Sequence, residues 1–307
     1  MVPPSSDIEV VDSQVHIWEP ESADRPWPPG GAAWASSTHR GWLSGPDEPS
    51  RPLQAAELGD LMDAAGVSAA VLVPPWFQGY DNSYVISAAA AAPSRYRVMA
   101  RIDPAAPAID AELTRLASVA EVAGVRVLFH RETRDALTDG TAEKLWHSAS
   151  GLGMPVMVYA PGQVEHLRDV ASQYPDVRIA IDHLGLSGGG TREQRQAEID
   201  CLLRLSDLPN VAVKASAAPC YSTDPYPYRD LHAEVLAVLG AFGAERVFWG
   251  SDVSRLRGGY REAVTMFTEH LGLSVHDRRQ VMGAGLRAWL GWELGSDMSR
   301  EKEGRSS

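Results

Sequence analysis

The sequence predicts an α/β fold, a (β/α)8 barrel of the TIM type, and three observations predict it. Short apolar segments occur eight times along the 307 residues. Longer stretches with helical periodicity separate them. The starts of successive apolar segments fall 57, 30, 27, 30, 23, 33 and 36 residues apart, the spacing of strand–helix units in every interval but the first. Alternation repeated eight times argues for a closed parallel sheet, with a doubly wound open sheet as the alternative. Such barrels run to roughly 250 residues, so one domain over 1–307 is the simpler organisation.

The predicted strands are Val10–His16, Val67–Val73, Arg97–Asp103, Gly124–His130, Met154–Ala160, Val177–His183, Asn210–Ser216 and Arg246–Asp252. Many are rich in Val and Ile and nearly continuous in apolar character, as strands covered on both faces must be. Helices are predicted at Leu53–Ala65, Ala108–Ala120, Ala142–Ser150, Val164–Ser172, Arg192–Leu205 and Arg229–Ala241, where apolar residues recur three and four apart. The long first interval holds a loop, 17–52, dense in Trp, Pro and Gly and without either period. Its four tryptophans argue against disorder, and its place after strand 1 makes it a cap over the barrel mouth. The tail at 296–307, charged and rich in serine, is expected to fray.

Composition narrows the function classes. A net charge of −12 disfavours non-specific nucleic-acid binding. No apolar run reaches the roughly 18 residues of a membrane span. Two cysteines, outside any CxxC pair, make no disulfide framework, and the polar start lacks a signal peptide, so a cytoplasmic location is expected. The expected partner is a small-molecule substrate. Trp289, Leu290 and Trp292 leave room for a homo-oligomer, although a last helix closing the barrel bottom explains them as well.

Chemistry in such barrels sits at the C-terminal ends of the strands. Polar side chains gather at those ends. Strand 1 brings Gln14 and His16 on one face, strand 4 Arg126 and His130, strand 5 Tyr159, strand 6 Asp182 and His183, strand 7 Lys214 and Ser216, and strand 8 Asp252. Each has a plainer reading. Asp182 could cap the next helix, Arg126 and Lys214 could be surface charges, and Tyr159 could be packed core. His147, His166, His232, His270 and His276 are read as solvated. Delivery of six polar strand ends to one rim favours a site.

Three segments carry a resemblance. VDSQVHIWEP at 11–20, IAIDHLG at 179–185 and VFWGSDV at 247–253 resemble, in order and spacing, the strand-1, strand-6 and strand-8 motifs of the amidohydrolase superfamily. The match is to the branch that holds sugar lactonases, 2-pyrone-4,6-dicarboxylate lactonase and aromatic-acid decarboxylases. The resemblance implies a centre at His16, His183 and Asp252, built around a divalent metal or its former place. Gln14 stands where a strand-1 histidine is expected, and Tyr159 near the place of a strand-5 histidine. Catalytic zinc wants three His or carboxylate ligands plus water, so His16, His183 and Asp252 could hold one Zn or Mn ion. With two imidazoles replaced, metal-independent catalysis is the favoured expectation.

The resemblance therefore implies hydrolysis of a lactone or related carbonyl compound. Asp252 is the expected general base on water, with His16 and His183 polarising the carbonyl and Tyr159 donating a proton. Gln14, Trp18, His39, Arg40, Trp76, Arg126, His130, Lys214 and Arg255 are expected to line or grip the substrate. Two alternatives stand beside it: a metal-dependent non-oxidative decarboxylase of an aromatic or pyrone acid, and a non-catalytic binding protein descended from such an enzyme.

Overall fold

The computed structural model describes residues 8–31, 51–188, 190–256 and 258–293. Eight strands form one sheet in sequential order: β1 (Val11–Val15), β2 (Ala69–Leu72), β3 (Tyr96–Arg101), β4 (Val122–Leu128), β5 (Val156–Tyr159), β6 (Ile179–Ile181), β7 (Val211–Ser216) and β8 (Val247–Gly250). Every neighbouring pair from β1–β2 to β7–β8 is parallel. Helices alternate with them, so the predicted (β/α)8 architecture is the one observed. The strands lie within about two residues of their predicted ends.

The sheet comes round on itself between β8 and β1. Asp252 N donates to Gln14 O at 2.9 Å. Ser251 N donates to the Asp12 carboxylate at 2.9 Å, and Gln14 N and the Tyr260 hydroxyl donate to the same group at 3.0 and 2.6 Å. Asp12 thus bolts both strands to the helix that follows β8. Burial pushes its carboxyl up to about 6, against the donors that pull it down. Glycine is required at this seam, because a Cβ at Gly250 would lie 2.5 Å from Ser13 Oγ and 3.2 Å from Gln14 N.

The β1–β2 ladder shifts register between Asp12 and Val15. Val11 packs in the barrel interior, and Gln14 bonds to Lys214 there as well. Two residues of opposite parity can share a face only across such an irregularity. It lets β1 contribute an apolar plug at the bottom and polar groups at the top. The interior cluster also holds Ala69, Val71, Val73, Met99, Met157, Ala180, Ala212 and Phe248.

The helices cover the outside of the sheet: α1 (Ala55–Ala65), α2 (Ser83–Ala91), α3 (Ile109–Ala117), α4 (Glu143–Leu152), α5 (Leu167–Gln173), α6 (Arg192–Leu203), α7 (His232–Phe242), α8 (Tyr260–Thr265), α9 (Val275–Arg279) and α10 (Gly285–Leu290). Their stripes follow the predicted spacing. In α3, Ile109, Leu113 and Leu116 are the buried positions. In α6, Thr191 accepts from Gln194 N in a capping box that starts the helix at the predicted residue. Helix α2 escapes sequence reading because its SYVISAAAA has no polar face to set against an apolar one.

Leu286 and Leu290 of α10, with Trp292, pack onto the interior cluster, and Trp289 lies partly buried beside them. These residues close the barrel bottom. In the first loop, the described part packs on a short turn after β2. Trp18 meets Phe77 edge-on at 5.6 Å between ring centroids, and Trp27 lies at 5.0 Å. Such pairs add roughly 0.5–1.5 kcal/mol each beyond area burial. His39, Arg40 and the tail at 296–307 lie outside the described residues. Among the described residues no helix is long and apolar enough to cross a membrane.

Candidate active site

Four strand ends carry an uncommon backbone. Arg131, His183, Ala217 and Asp252, just past β4, β6, β7 and β8, have φ of 57°, 54°, 55° and 50°. A left-handed non-glycine residue costs on the order of 1–3 kcal/mol, and such strain gathers at functional sites. Here it sits on the C-terminal rim and includes both His183 and Asp252.

The predicted trio converges. Asp252 Oδ1 lies 3.6 Å from His16 Nε2, and Oδ2 lies 3.8 Å from His183 Nε2 and 3.2 Å from Arg255 Nη1. All three side chains of the trio are buried. The imidazole gaps exceed a direct hydrogen bond and suit one intervening oxygen.

The contacts decide which histidine nitrogen carries a proton. His16 Nδ1 lies 2.7 Å from the Val73 carbonyl, which can only accept, so Nδ1 is the protonated nitrogen. Its Nε2 then accepts from the Gln14 amide at 3.2 Å. His183 Nδ1 meets the Ser216 hydroxyl at 2.8 Å, and the carboxylate facing its Nε2 favours a proton there. Burial lowers His16 to about 4, opposed by Asp252, and lowers His183 to about 3, opposed by Asp182 and Asp252. Both rings are neutral at neutral pH. His16 spends its acceptor on Gln14, and His183 presents a donor.

A polar layer supports them from below. Asp182 bonds to Arg126 Nε at 2.7 Å and to Lys214 Nζ at 2.8 Å. Burial works to raise its carboxyl, and the two cations outweigh that and hold it well below the usual carboxylate range. Lys214 also donates to Gln14 Oε1 and to Met157 Sδ at 3.3 Å. Tyr159 stands between His130 and His183, with ring centroids 5.8 and 5.7 Å away. Burial raises its phenol, so the proton stays on. Arg131 stacks over Trp76 at 4.9 Å on the mouth wall.

Several expectations change. Lys214 and Arg126 are not surface charges, and Asp182 is not a helix cap: all three are buried and bonded to one another. Lys214 and Gln14 do not reach substrate, because protein groups take the Lys214 protons and both ends of the Gln14 amide. Trp18 is core rather than substrate wall, with 1% of its surface exposed. His16 does not polarise a carbonyl in its neutral form, since its inward nitrogen has no proton to give. His147, His166 and His276 are exposed as expected, whereas His232 and His270 are half-buried and bonded to Pro227 O and Tyr226. Sequence reasoning missed Asp12, Ser216 as the partner of His183, and Tyr221 beside Arg255. Burial raises the Tyr221 phenol. Only the parity of Ser216 with Lys214 on strand 7 hinted at any of these.

The molecule is a parallel barrel whose C-terminal rim gathers a buried carboxylate and two imidazoles. The amidohydrolase family model matches residues 11–297, and the chain belongs to that family. It is a hydrolase of the barrel class. Among curated relatives, an L-fucono-1,5-lactonase of Burkholderia ambifaria is 28% identical over 261 residues, covering 81% of this chain and 82% of the relative. A crystal structure from Pseudomonas putida, named as a 2-pyrone-4,6-dicarboxylic acid hydrolase, is 27% identical, with a TM-score of 0.70 over 94% of this chain and 99% of that one. A Burkholderia multivorans amidohydrolase with bound zinc has a TM-score of 0.75 at 20% identity, over 92% and 99%.

Proposed function

We propose that this chain hydrolyses a lactone, with Asp252 as the base that activates water. The observation that carries the reading is the disposition of two neutral imidazoles on one buried carboxylate, His16 Nε2 at 3.6 Å and His183 Nε2 at 3.8 Å. The names of the lactonase and pyrone hydrolase relatives support it.

A water beside Asp252 donates one proton to its carboxylate, which turns the water lone pair outward; His16, with no proton on Nε2, leaves that carboxylate basic. The water oxygen attacks the lactone carbonyl carbon while its proton passes to Asp252. His183 Nε2–H and the Tyr159 hydroxyl stabilise the oxyanion. The ring C–O bond then breaks, and the leaving oxygen takes the proton from Asp252. The product is a hydroxy acid, whose ionisation releases acid. Arg126 serves the substrate: only its Nε is bonded among the described residues, which leaves the terminal nitrogens for a carboxylate or hydroxyls.

Among the described residues no three His, Cys, Asp or Glu side chains are arranged to hold a metal ion. The Gln14 amide occupies the His16 nitrogen that a cation would need, and Arg255 faces Asp252. These contacts support catalysis without a resident divalent ion. The test is a panel of sugar lactones and pyrone acids followed by acid release. Ring opening of at least one member is expected. Release of carbon dioxide, with stoichiometric metal lost together with activity, would replace the reading with decarboxylation.

A further inference from the structure

We infer that Lys214 is a positioning residue that sets the tautomer of His16 through Gln14. Three acceptors surround its Nζ: Asp182 Oδ1 at 2.8 Å, Met157 Sδ at 3.3 Å and Gln14 Oε1. Three acceptors match the three N–H bonds of an ammonium, where a neutral amine has two. A donor-only group fixes the Gln14 amide, since its oxygen must face Lys214 and its NH2 must face His16. The NH2 can only donate, so His16 Nε2 must accept, and the ring proton is driven to Nδ1. The Val73 carbonyl, 2.7 Å away, receives it. Every bond in the series Lys214, Gln14, His16, Val73 runs in one direction.

The whole relay is buried, with Gln14 and Lys214 both at 0% exposure, so water cannot rescue a reversed amide. Asp182 anchors the head of the chain, held in turn by Arg126 at 2.7 Å. The glutamine at the first strand-1 position is therefore not an empty substitution for an imidazole. It transmits a charge 200 residues distant in sequence to the ring that faces Asp252.

That the tautomer matters for catalysis rests on the hydrolase reading; the tautomer itself does not. The experiment uses the full chain labelled with 15N-histidine, without substrate. Two-dimensional NMR is expected to show His16 as a neutral ring protonated at Nδ1. In Gln14→Glu the carboxylate keeps the Lys214 contact but offers His16 Nε2 only an acceptor, while the Val73 carbonyl still accepts from Nδ1, so the His16 signal is expected to move to that of a ring protonated on both nitrogens. In Lys214→Met the amide loses its director, and a mixture of tautomers is expected. A wild-type ring protonated at Nε2, or a His16 signal unchanged in Gln14→Glu, overturns the inference. If Lys214→Met fails to fold, Gln14→Glu alone decides. Rates with L-fucono-1,5-lactone are read in parallel: in Gln14→Glu kcat is expected to fall about 100-fold with KM within about twofold. A wild-type chain that leaves this lactone intact bears on the substrate and leaves the NMR test standing.

Discussion

His16 Nε2 lies 3.6 Å from Asp252 Oδ1, while the opposite nitrogen of the same ring is tied to the Val73 carbonyl at 2.7 Å. With the Gln14 amide donating to Nε2 as well, the imidazole keeps its proton away from the carboxylate. No His16 proton is then spent on Asp252, which stays basic enough to take a proton from a water.

The contact between His183 Nδ1 and Ser216 Oγ, at 2.8 Å, holds the second ring. Ser216→Ala removes that partner inside a buried site, at a cost of about 1–2 kcal/mol. A fall in kcat of about 10-fold is expected, with the unfolding midpoint lowered by about 2–4 °C. Steady-state kinetics and a thermal melt check it; full activity in the variant counts against His183 as an oriented donor.

Asp12 links β1, β8 and the Tyr260 hydroxyl of α8. Asp12→Ala strands several buried donors, and a loss of about 3–5 kcal/mol is expected. Urea unfolding measures it. A loss below about 1 kcal/mol would show that the seam closes without this carboxylate.

Acid should weaken the fold through His16 and His183. Both are lowered by burial, to about 4 and about 3, from an ordinary 6.5. Between those values the unfolded chain binds protons that the folded chain refuses. The stability they contribute is present above about pH 6.5 and is lost as pH falls towards 4. Asp12, raised by burial to about 6, acts oppositely: its contribution is present near pH 4 and lost as pH rises through 6. Two imidazoles outweigh one carboxyl, so a net loss on the order of 3 kcal/mol is expected between pH 7 and 4.5. Melting at a series of pH values checks it, and a melting temperature that rises on acidification contradicts it.

Exhaustive treatment with EDTA and then phenanthroline should leave the rate on the best lactone within about twofold, because the His16 nitrogen is already engaged by Gln14. Loss of activity restored by Zn or Mn would assign the trio to a metal after all.

The fold was legible because its signals are local. Apolar runs of Val and Ile recur at the strands, and a capping box and a stripe mark helices such as α6 and α3. Helix α2 was not, since an alanine run carries no period. His16, His183 and Asp252 were legible as strand-end polar residues on three spaced motifs. Their supports were not. Whether Lys214 points to solvent or inward depends on strand parity against a closed barrel, and its bond to Gln14 spans the whole chain. The register shift in β1, which brings Gln14 inward beside Val11, leaves no mark in the sequence. Trp18 misled for the same reason: an aromatic after strand 1 can turn to the mouth or to Phe77, and only tertiary packing decides.

The most direct measurement is acid release from lactones by the wild-type chain and by Asp252→Asn, with L-fucono-1,5-lactone and 2-pyrone-4,6-dicarboxylate as the first substrates. The variant keeps the shape of the side chain and removes the base. The account predicts ring opening by the wild-type chain and a kcat at least about 100-fold lower in the variant, with its fold intact by circular dichroism. Retained turnover in Asp252→Asn on the substrate the wild-type chain opens would contradict it.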